Sequence, residues 1–149
     1  WKTVGHSPHN SLGDIHLIIE IKEHATPQAE SELARAVVTK VKEHKLQNNI
    51  DYQSSRQHIC NELKRYAASS TTVYFMGNNL TPEYVEGLGF SGISYTIETF
   101  KRIPRWINEA HKLGLKVAVR GVTSADNGAW AKKSGADAII TTTPTTIKK

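Results

Sequence analysis

The sequence predicts an α/β fold: a TIM-barrel of the (β/α)8 type, present only as an incomplete barrel that lacks its N-terminal strands. Aliphatic strands alternate with amphipathic helices, which is typical of parallel sheets with right-handed crossovers. No glycine-rich nucleotide-binding loop follows a strand, which favours a barrel over an open sheet. At most six strands are found in the 149 residues, whereas a complete barrel typically has eight strands in about 250. We therefore expect the missing strands to precede residue 1.

The first elements follow from residue patterns near the N-terminus. Residues 1–14 are predicted to be an irregular N-terminal segment, and residues 15–149 to form the barrel domain. Ile15–Lys22 is an aliphatic, β-branched run, the pattern of a strand buried on both faces. Thr26 and Pro27 then supply an N-cap hydroxyl and a proline for the first helical position. A helix is expected to follow, with an apolar stripe at helical spacing formed by Leu33, Ala34, Val37 and Val41.

The later elements repeat this alternation. Thr81 and Pro82 again predict a helix start, Ser124 is a further N-cap, and Gly114 and Gly135 follow helices that they are expected to end. The expected strands are 51–54, 73–76, 92–95, 115–119 and 138–141. The expected helices are 56–66, 82 to 87 or 89, 104–113 and 124–135, and residues 143–144 open a turn or a truncated last helix.

Composition limits the classes of partner. The net charge of +5 and the pI near 9.4 suit a small anionic substrate. The basic residues are dispersed and accompany no nucleic-acid-binding motif, so we expect no nucleic-acid partner. Apolar runs are far shorter than the roughly 20 residues that cross a bilayer, so no transmembrane segment is expected. Cys60 is the single cysteine, and its place on an apolar stripe favours a buried side chain over a nucleophile.

Glu20 and Lys22 are the strongest candidate site residues. They lie two positions apart at the end of the first strand, so both side chains are expected on one face, toward the barrel mouth. A carboxylate there could bind Mg²⁺ or Ca²⁺, and an ammonium could bind a phosphate oxygen. The alternative is that the two side chains form an ion pair at the strand end that faces solvent. Arg120, at another strand end, could bind phosphate with two N–H groups or cover the barrel rim.

Three segments together resemble the glycerophosphodiester phosphodiesterase family. They are the strand that ends in Glu20-Ile21-Lys22, the segment Ala110–Val117 with its Ala-His-x-x-Gly pattern, and Gly135–Thr142 with its Gly-x-Asp-x-Ile-Ile-Thr pattern. Their order and intervals are those of the family as well. The resemblance implies that residues 15–149 are the C-terminal part of a phosphodiesterase barrel.

The resemblance implies metal-dependent hydrolysis of glycerophosphodiesters to an alcohol and glycerol 3-phosphate. Glu20 corresponds to a ligand of the divalent metal, Ca²⁺ or Mg²⁺, and Lys22 to the lysine near the phosphate. The family's role lies in lipid and phosphodiester metabolism, and its many exported bacterial members favour a periplasmic or secreted protein.

Several family features are not found in this chain. The His-Arg-Gly motif, the early Glu-x-Asp pair and the His-Asp strand end, which supply both catalytic histidines and the other metal ligands, have no match. The catalytic acid and base are therefore unknown, and the chain is expected to be catalytically incomplete. His6, His9 and His24 are the first candidates for a replacement pair. Arg120-Gly121-Val122-Thr123 stands where the family tends to have Trp-Thr-Val-Asn, and Ser54-Ser55 where it has Ser-Phe.

Two other interpretations remain open. The chain could be a non-catalytic half-barrel that binds a phosphate compound, self-associates or pairs with an N-terminal partner segment, because a barrel sheet cut open leaves unpaired edges. Lys22 could form a Schiff base, as strand-end lysines do in barrel aldolases. Neighbouring Glu20 and Glu23 argue against that chemistry, since they favour the charged lysine.

Overall fold

Seven parallel strands form one curled sheet in the computed structural model, which describes residues 2–4 and 16–143. The strands are β1 (Lys2–Val4), β2 (Leu17–Glu20), β3 (Ile50–Ser54), β4 (Val73–Gly77), β5 (Gly92–Thr96), β6 (Lys116–Arg120) and β7 (Ala138–Ile140). The helices are α1 (Pro27–Glu43), α2 (Gln57–Tyr66), α3 (Pro82–Gly87), α4 (Ile97–Arg102), α5 (Arg105–Lys112) and α6 (Ala125–Ser134).

The strand order is β1-β7-β6-β5-β4-β3-β2, and every neighbouring pair is parallel. The edge strands β1 and β2 are not paired, yet Cα atoms of the two come within 8 Å of each other. The sheet therefore curls until its edges approach, and the prediction of an incomplete TIM barrel is confirmed. Among the described residues no helix is both long and apolar enough to cross a membrane.

Alternation along the strands separates two apolar layers. Side chains such as Tyr52, Ile93 and Val119 point outward and join the main core beneath the helices. Residues of the opposite parity form a smaller inner cluster around Tyr74, Ala118 and Ala138. This parity decides which strand-end residues face the interior at the barrel mouth.

The helix boundaries follow the predicted signals. Thr26 Oγ1 accepts a hydrogen bond from the Ala29 amide at 3.1 Å, and Pro27 opens α1. Ser124 caps α6 in the same way. Gly135 ends α6 with φ of 100°, a left-handed conformation that glycine adopts without steric cost.

Two short elements differ from the sequence-based expectation. The segment 1–14 is predicted to be irregular, but Lys2–Val4 forms β1 and pairs with β7, while the rest of that segment lies outside the described residues. A run of three residues is too short to show the alternation of apolar and polar residues that predicts a strand. The hydrogen bonds of β1 are formed with β7, which is distant in the sequence. The six-residue α4 is also missed, although Thr96 caps it. Pro144 lies outside the described residues, so the expected turn after it is not described.

Asp137 connects three elements at the end of the barrel where the strands begin, opposite the mouth. Its Oδ2 accepts a hydrogen bond from the Val117 amide at 2.8 Å and lies 2.8 Å from His111 Nε2. One carboxylate thus joins α5, the start of β6 and the turn before β7. The Ala-His-x-x-Gly and Gly-x-Asp segments therefore meet far from the barrel mouth.

Candidate active site

The candidate site lies at the carboxyl ends of the strands. Glu20, Gln53, Ser94 and Arg120 share the inner-face parity of their strands at this end. The negative charge of Glu20 acts on Arg120, although the two residues lie on strands separated by three others in the sheet. The curled sheet therefore brings these two predicted site residues into one electrostatic environment.

Arg120 is anchored across the ends of two neighbouring strands. Its Nε donates to the Ser94 carbonyl at 3.0 Å, and its Nη2 donates to the Gly77 carbonyl at 2.9 Å. Burial lowers the pKa of Arg120, and the charge of Glu20 opposes that shift. A guanidinium has five N–H donors, so these two contacts leave donors for a ligand. Arg120 is both a rim contact and a fixed cation at the mouth.

A polar layer lies beneath Arg120. Ser94 Oγ donates to Gln53 Oε1 at 2.7 Å, and both residues are buried. Asn78 Oδ1 accepts from the Thr96 amide at 2.9 Å and from the hydroxyls of Thr96 and Thr99. These contacts hold the ends of β3, β4 and β5 in register. Gln53, Ser94 and Asn78 were not predicted as site residues, although strand parity alone could have indicated the first two.

Lys22 lies in the segment that connects β2 to α1. The Ile21 amide donates to the Gln53 carbonyl at 3.0 Å, and the buried Ser54 hydroxyl donates to the Ile21 carbonyl at 2.6 Å. The backbone just before Lys22 is therefore tied to β3. The Lys22 side chain is exposed and forms no hydrogen bond or ion pair with any residue that the structure describes. Its assignment to phosphate binding stays a prediction, as does that of Arg120.

A buried carboxylate holds the same segment from the other side. Glu30 is 0% exposed, and its Oε1 accepts a hydrogen bond from Arg56 Nε at 2.8 Å. Its Oε2 accepts from the His24 amide at 3.2 Å. The hydrogen bond from Arg56 is the main cause that holds the pKa of Glu30 below its ordinary value.

This shift predicts a pH dependence of stability. Because the pKa of Glu30 is lower in the folded chain, its carboxylate contributes stability above the ordinary value of about 4.5 and loses it as the pH falls through the folded pKa. In urea unfolding, the wild type should therefore have a higher free energy of unfolding than Glu30→Gln at pH 7. This difference in free energy should decrease below about pH 4.5. Glu32→Gln, at an exposed position of α1, is the control, and an unchanged difference at pH 3 would refute the prediction.

The described residues do not by themselves form a metal site. Within residues 16–143 no group of three His, Cys, Asp or Glu side chains is arranged to hold a metal ion. Glu20 is the predicted ligand, and no set of three such side chains forms around it. The side chains that the structure describes therefore do not fit a complete Ca²⁺ or Mg²⁺ site.

The other candidates are placed as follows. His6 and His9 lie outside the described residues. His24 is in the segment after β2, with Nδ1 2.8 Å from the Lys22 carbonyl oxygen, and His16 lies 4.0 Å from Asp51 at the opposite end of the barrel. Cys60 is buried, and burial raises the pKa of its thiol to about 12, which agrees with a packing role.

Comparison with solved structures identifies the relatives. A glycerophosphodiester phosphodiesterase from Parabacteroides distasonis superimposes with a TM-score of 0.82 at 30% identity, over 90% of this chain and 56% of that chain. Other solved structures that superimpose on this chain include further glycerophosphodiester phosphodiesterases. The resemblance predicted from the sequence is confirmed.

A second solved structure, at lower identity, shares the fold. A phosphodiesterase from Oleispira antarctica, solved in complex with the product sn-glycerol-3-phosphate, has a TM-score of 0.72 at 18% identity. It matches 89% of this chain and 53% of its own. The chain thus spans about half the length of the structures it matches. No protein-family model and no curated protein matches the chain.

Proposed function

We propose that this chain forms the phosphate-binding part of a phosphodiesterase that hydrolyses glycerophosphodiesters to an alcohol and glycerol 3-phosphate. The observation that carries the proposal is the barrel mouth itself. Arg120 is a fixed cation there, Glu20 acts on it, and Lys22 follows Glu20 on a tied backbone. The match to the Parabacteroides enzyme, and the product bound by the Oleispira relative, support this substrate class.

The roles of the residues follow from their charge and position. Lys22 and Arg120 would bind the phosphate and oppose the negative charge that increases on its oxygens during displacement. A divalent metal, Ca²⁺ or Mg²⁺, is part of the proposal, with Glu20 as one of its ligands. The side chains that the structure describes do not complete that site.

His6, His9 and His24 are the first histidines to test as acid or base. An imidazole can transfer protons at neutral pH. His6 and His9 lie outside the described residues, and His24 lies in the segment after β2, two residues after Lys22.

The test uses the 149-residue chain. We expect it to bind sn-glycerol 3-phosphate in an NMR titration and to leave glycerophosphocholine intact, because the described part of the chain holds no group of three metal-ligating side chains. Lys22→Gln should weaken binding by about tenfold, the scale of losing one hydrogen bond to a charged group. Glu32→Gln should bind like the wild type.

Each outcome has a distinct meaning. No binding by the wild type, or equal binding by Lys22→Gln, would contradict the proposed site. Turnover that requires Ca²⁺ or Mg²⁺ and is lost in Glu20→Gln would support the phosphodiesterase and the metal, and would overturn the catalytic incompleteness. Variants of His6, His9 and His24 would then identify the acid and base.

The alternative of a self-associating half-barrel depends on sheet edges that are open to another molecule. In the structure the unpaired edges of β1 and β2 approach within 8 Å of each other. A strand from a second molecule would need about 4.8 Å of spacing on each side, or more than 9 Å between the flanking strands. In this structure the spacing therefore leaves no room for a strand of a second molecule between β1 and β2.

A further inference from the structure

The buried ion pair of Glu30 and Arg56 requires an explanation beyond stability. Removing a carboxylate from water is costly, and an ion pair repays that cost only in part, so apolar residues of similar volume often stabilise a protein equally well. Glu30 is nonetheless 0% exposed, on the first turn of α1, with both oxygens hydrogen-bonded. What a buried ion pair does well is fix the geometry of the groups that it joins.

The groups joined here are the two strand-to-helix segments at the barrel mouth. Arg56 belongs to the segment after β3, and its Nη1 lies 3.4 Å from Glu23 Oε1 in the segment after β2. The Arg56 amide also donates to Ser54 Oγ at 3.2 Å, the same hydroxyl that donates to the Ile21 carbonyl. Ile21, Glu23 and His24 are thus each tied to Arg56 directly or through one shared partner.

Lys22 lies between these tied residues. Its backbone is held on both sides, and the Lys22 carbonyl oxygen lies 2.8 Å from His24 Nδ1. Its ammonium, by contrast, has no partner among residues 16–143. Because the backbone at Lys22 is already fixed, only the order of its side chain remains to be lost when an anion binds to the ammonium.

We propose that Glu30 and Arg56 are a positioning pair, which holds the segment Ile21–Thr26 so that Lys22 reaches the bound phosphate. The proposal rests on the proposed function, because it assigns Lys22 to phosphate binding. Neither Glu30 nor Arg56 touches the substrate. Both act through the backbone that carries Lys22.

Two measurements on the full chain test the pair. The first is hydrogen exchange of residues 21–26 in the wild type, Glu30→Gln and Glu32→Gln. Glutamine has one acceptor oxygen where Glu30 has two, so Glu30→Gln cannot accept from both the His24 amide and Arg56. Protection within residues 21–26 should therefore fall, while the amides of β5 and β6 keep theirs. Glu32→Gln should match the wild type. Arg56→Gln, at a position 38% exposed, is the second variant if Glu30→Gln does not fold.

The second measurement is a double-mutant cycle on affinity for sn-glycerol 3-phosphate. Glu30→Gln should weaken binding by about tenfold in the wild-type background. In the Lys22→Gln background it should change binding by less than about twofold, because the residue that it positions is no longer there. A purely structural role would lower the urea midpoint and leave the affinity of the folded chain unchanged.

The outcomes separate this proposal from the proposed function. Unchanged exchange at residues 21–26 in Glu30→Gln would overturn the positioning role, and so would equal losses of affinity in both backgrounds. If the wild type binds no sn-glycerol 3-phosphate, the proposed function fails. If exchange is nevertheless altered only at residues 21–26, Glu30 and Arg56 do hold this segment. The segment would then have no role in phosphate binding.

Discussion

Asp137→Ala is expected to lower the free energy of unfolding by about 2–3 kcal/mol. The substitution leaves the Val117 amide without its acceptor at the start of β6, where Val117 is 0% exposed. A buried donor without a partner costs about 1–3 kcal/mol. The lost contact with the half-exposed His111 adds less, since exposed ion pairs contribute about 0–1 kcal/mol. Urea unfolding at pH 7 measures the change.

Two further variants assign the effect to the backbone contact. Asp137→Asn keeps a side-chain oxygen that can accept from the Val117 amide, so it should cost less than Asp137→Ala. His111→Ala removes the imidazole and leaves the Val117 contact, so it should cost about 1 kcal/mol or less. If His111→Ala costs as much as Asp137→Ala, the stability comes from the contact between His111 and Asp137 and not from the contact with the Val117 amide.

Two of the sequence motifs that resemble the family stabilise the barrel at the end opposite the candidate site. The segments Ala110–Val117 and Gly135–Thr142 were two of the three that carried the family resemblance. In the structure they meet through Asp137 at the end of the barrel opposite the mouth. Their contribution is therefore to the assembly of β6 and β7, whereas the strand ending at Glu20 contributes to the candidate site.

Local signals in the sequence account for most of the fold. Thr26, Thr81 and Ser124 each cap a helix through a side-chain oxygen, and Gly135 ends α6 in a left-handed conformation. These signals act over three or four residues, so they can be recognised in the chain without its partners. The alternation of aliphatic strands with helices then defines a parallel barrel.

The features that the sequence did not reveal depend on distant partners. β1 exists through its pairing with β7, more than 130 residues away in the chain. Glu30 and Arg56 lie on separate elements, and the apolar stripe that the spacing predicts for α1 does not include Glu30. A carboxylate in the first turn of a helix usually faces water, and only the packed structure shows that an arginine covers this one.

Arg120→Lys is the second large effect, with an expected loss of about 2 kcal/mol in the free energy of unfolding. Lysine keeps the positive charge, but its single ammonium cannot reproduce the planar fork that reaches the Ser94 and Gly77 carbonyls together. Hydrogen bonds to charged groups contribute about 1.5–3 kcal/mol each, and water at the mouth replaces part of that contribution. Urea unfolding provides the measurement.

The same variant separates the structural role of Arg120 from its role toward the anion. If Arg120 attracts the phosphate mainly by charge, Arg120→Lys should keep most of the affinity for sn-glycerol 3-phosphate, whereas Arg120→Met should lose about tenfold. Both variants should lose stability, because both release the two carbonyls. Equal affinity loss in the two variants would mean that the guanidinium fork contacts the phosphate directly. Wild-type affinity in Arg120→Met would mean that Arg120 only ties β6 to β4 and β5, and that Lys22 alone supplies the cation.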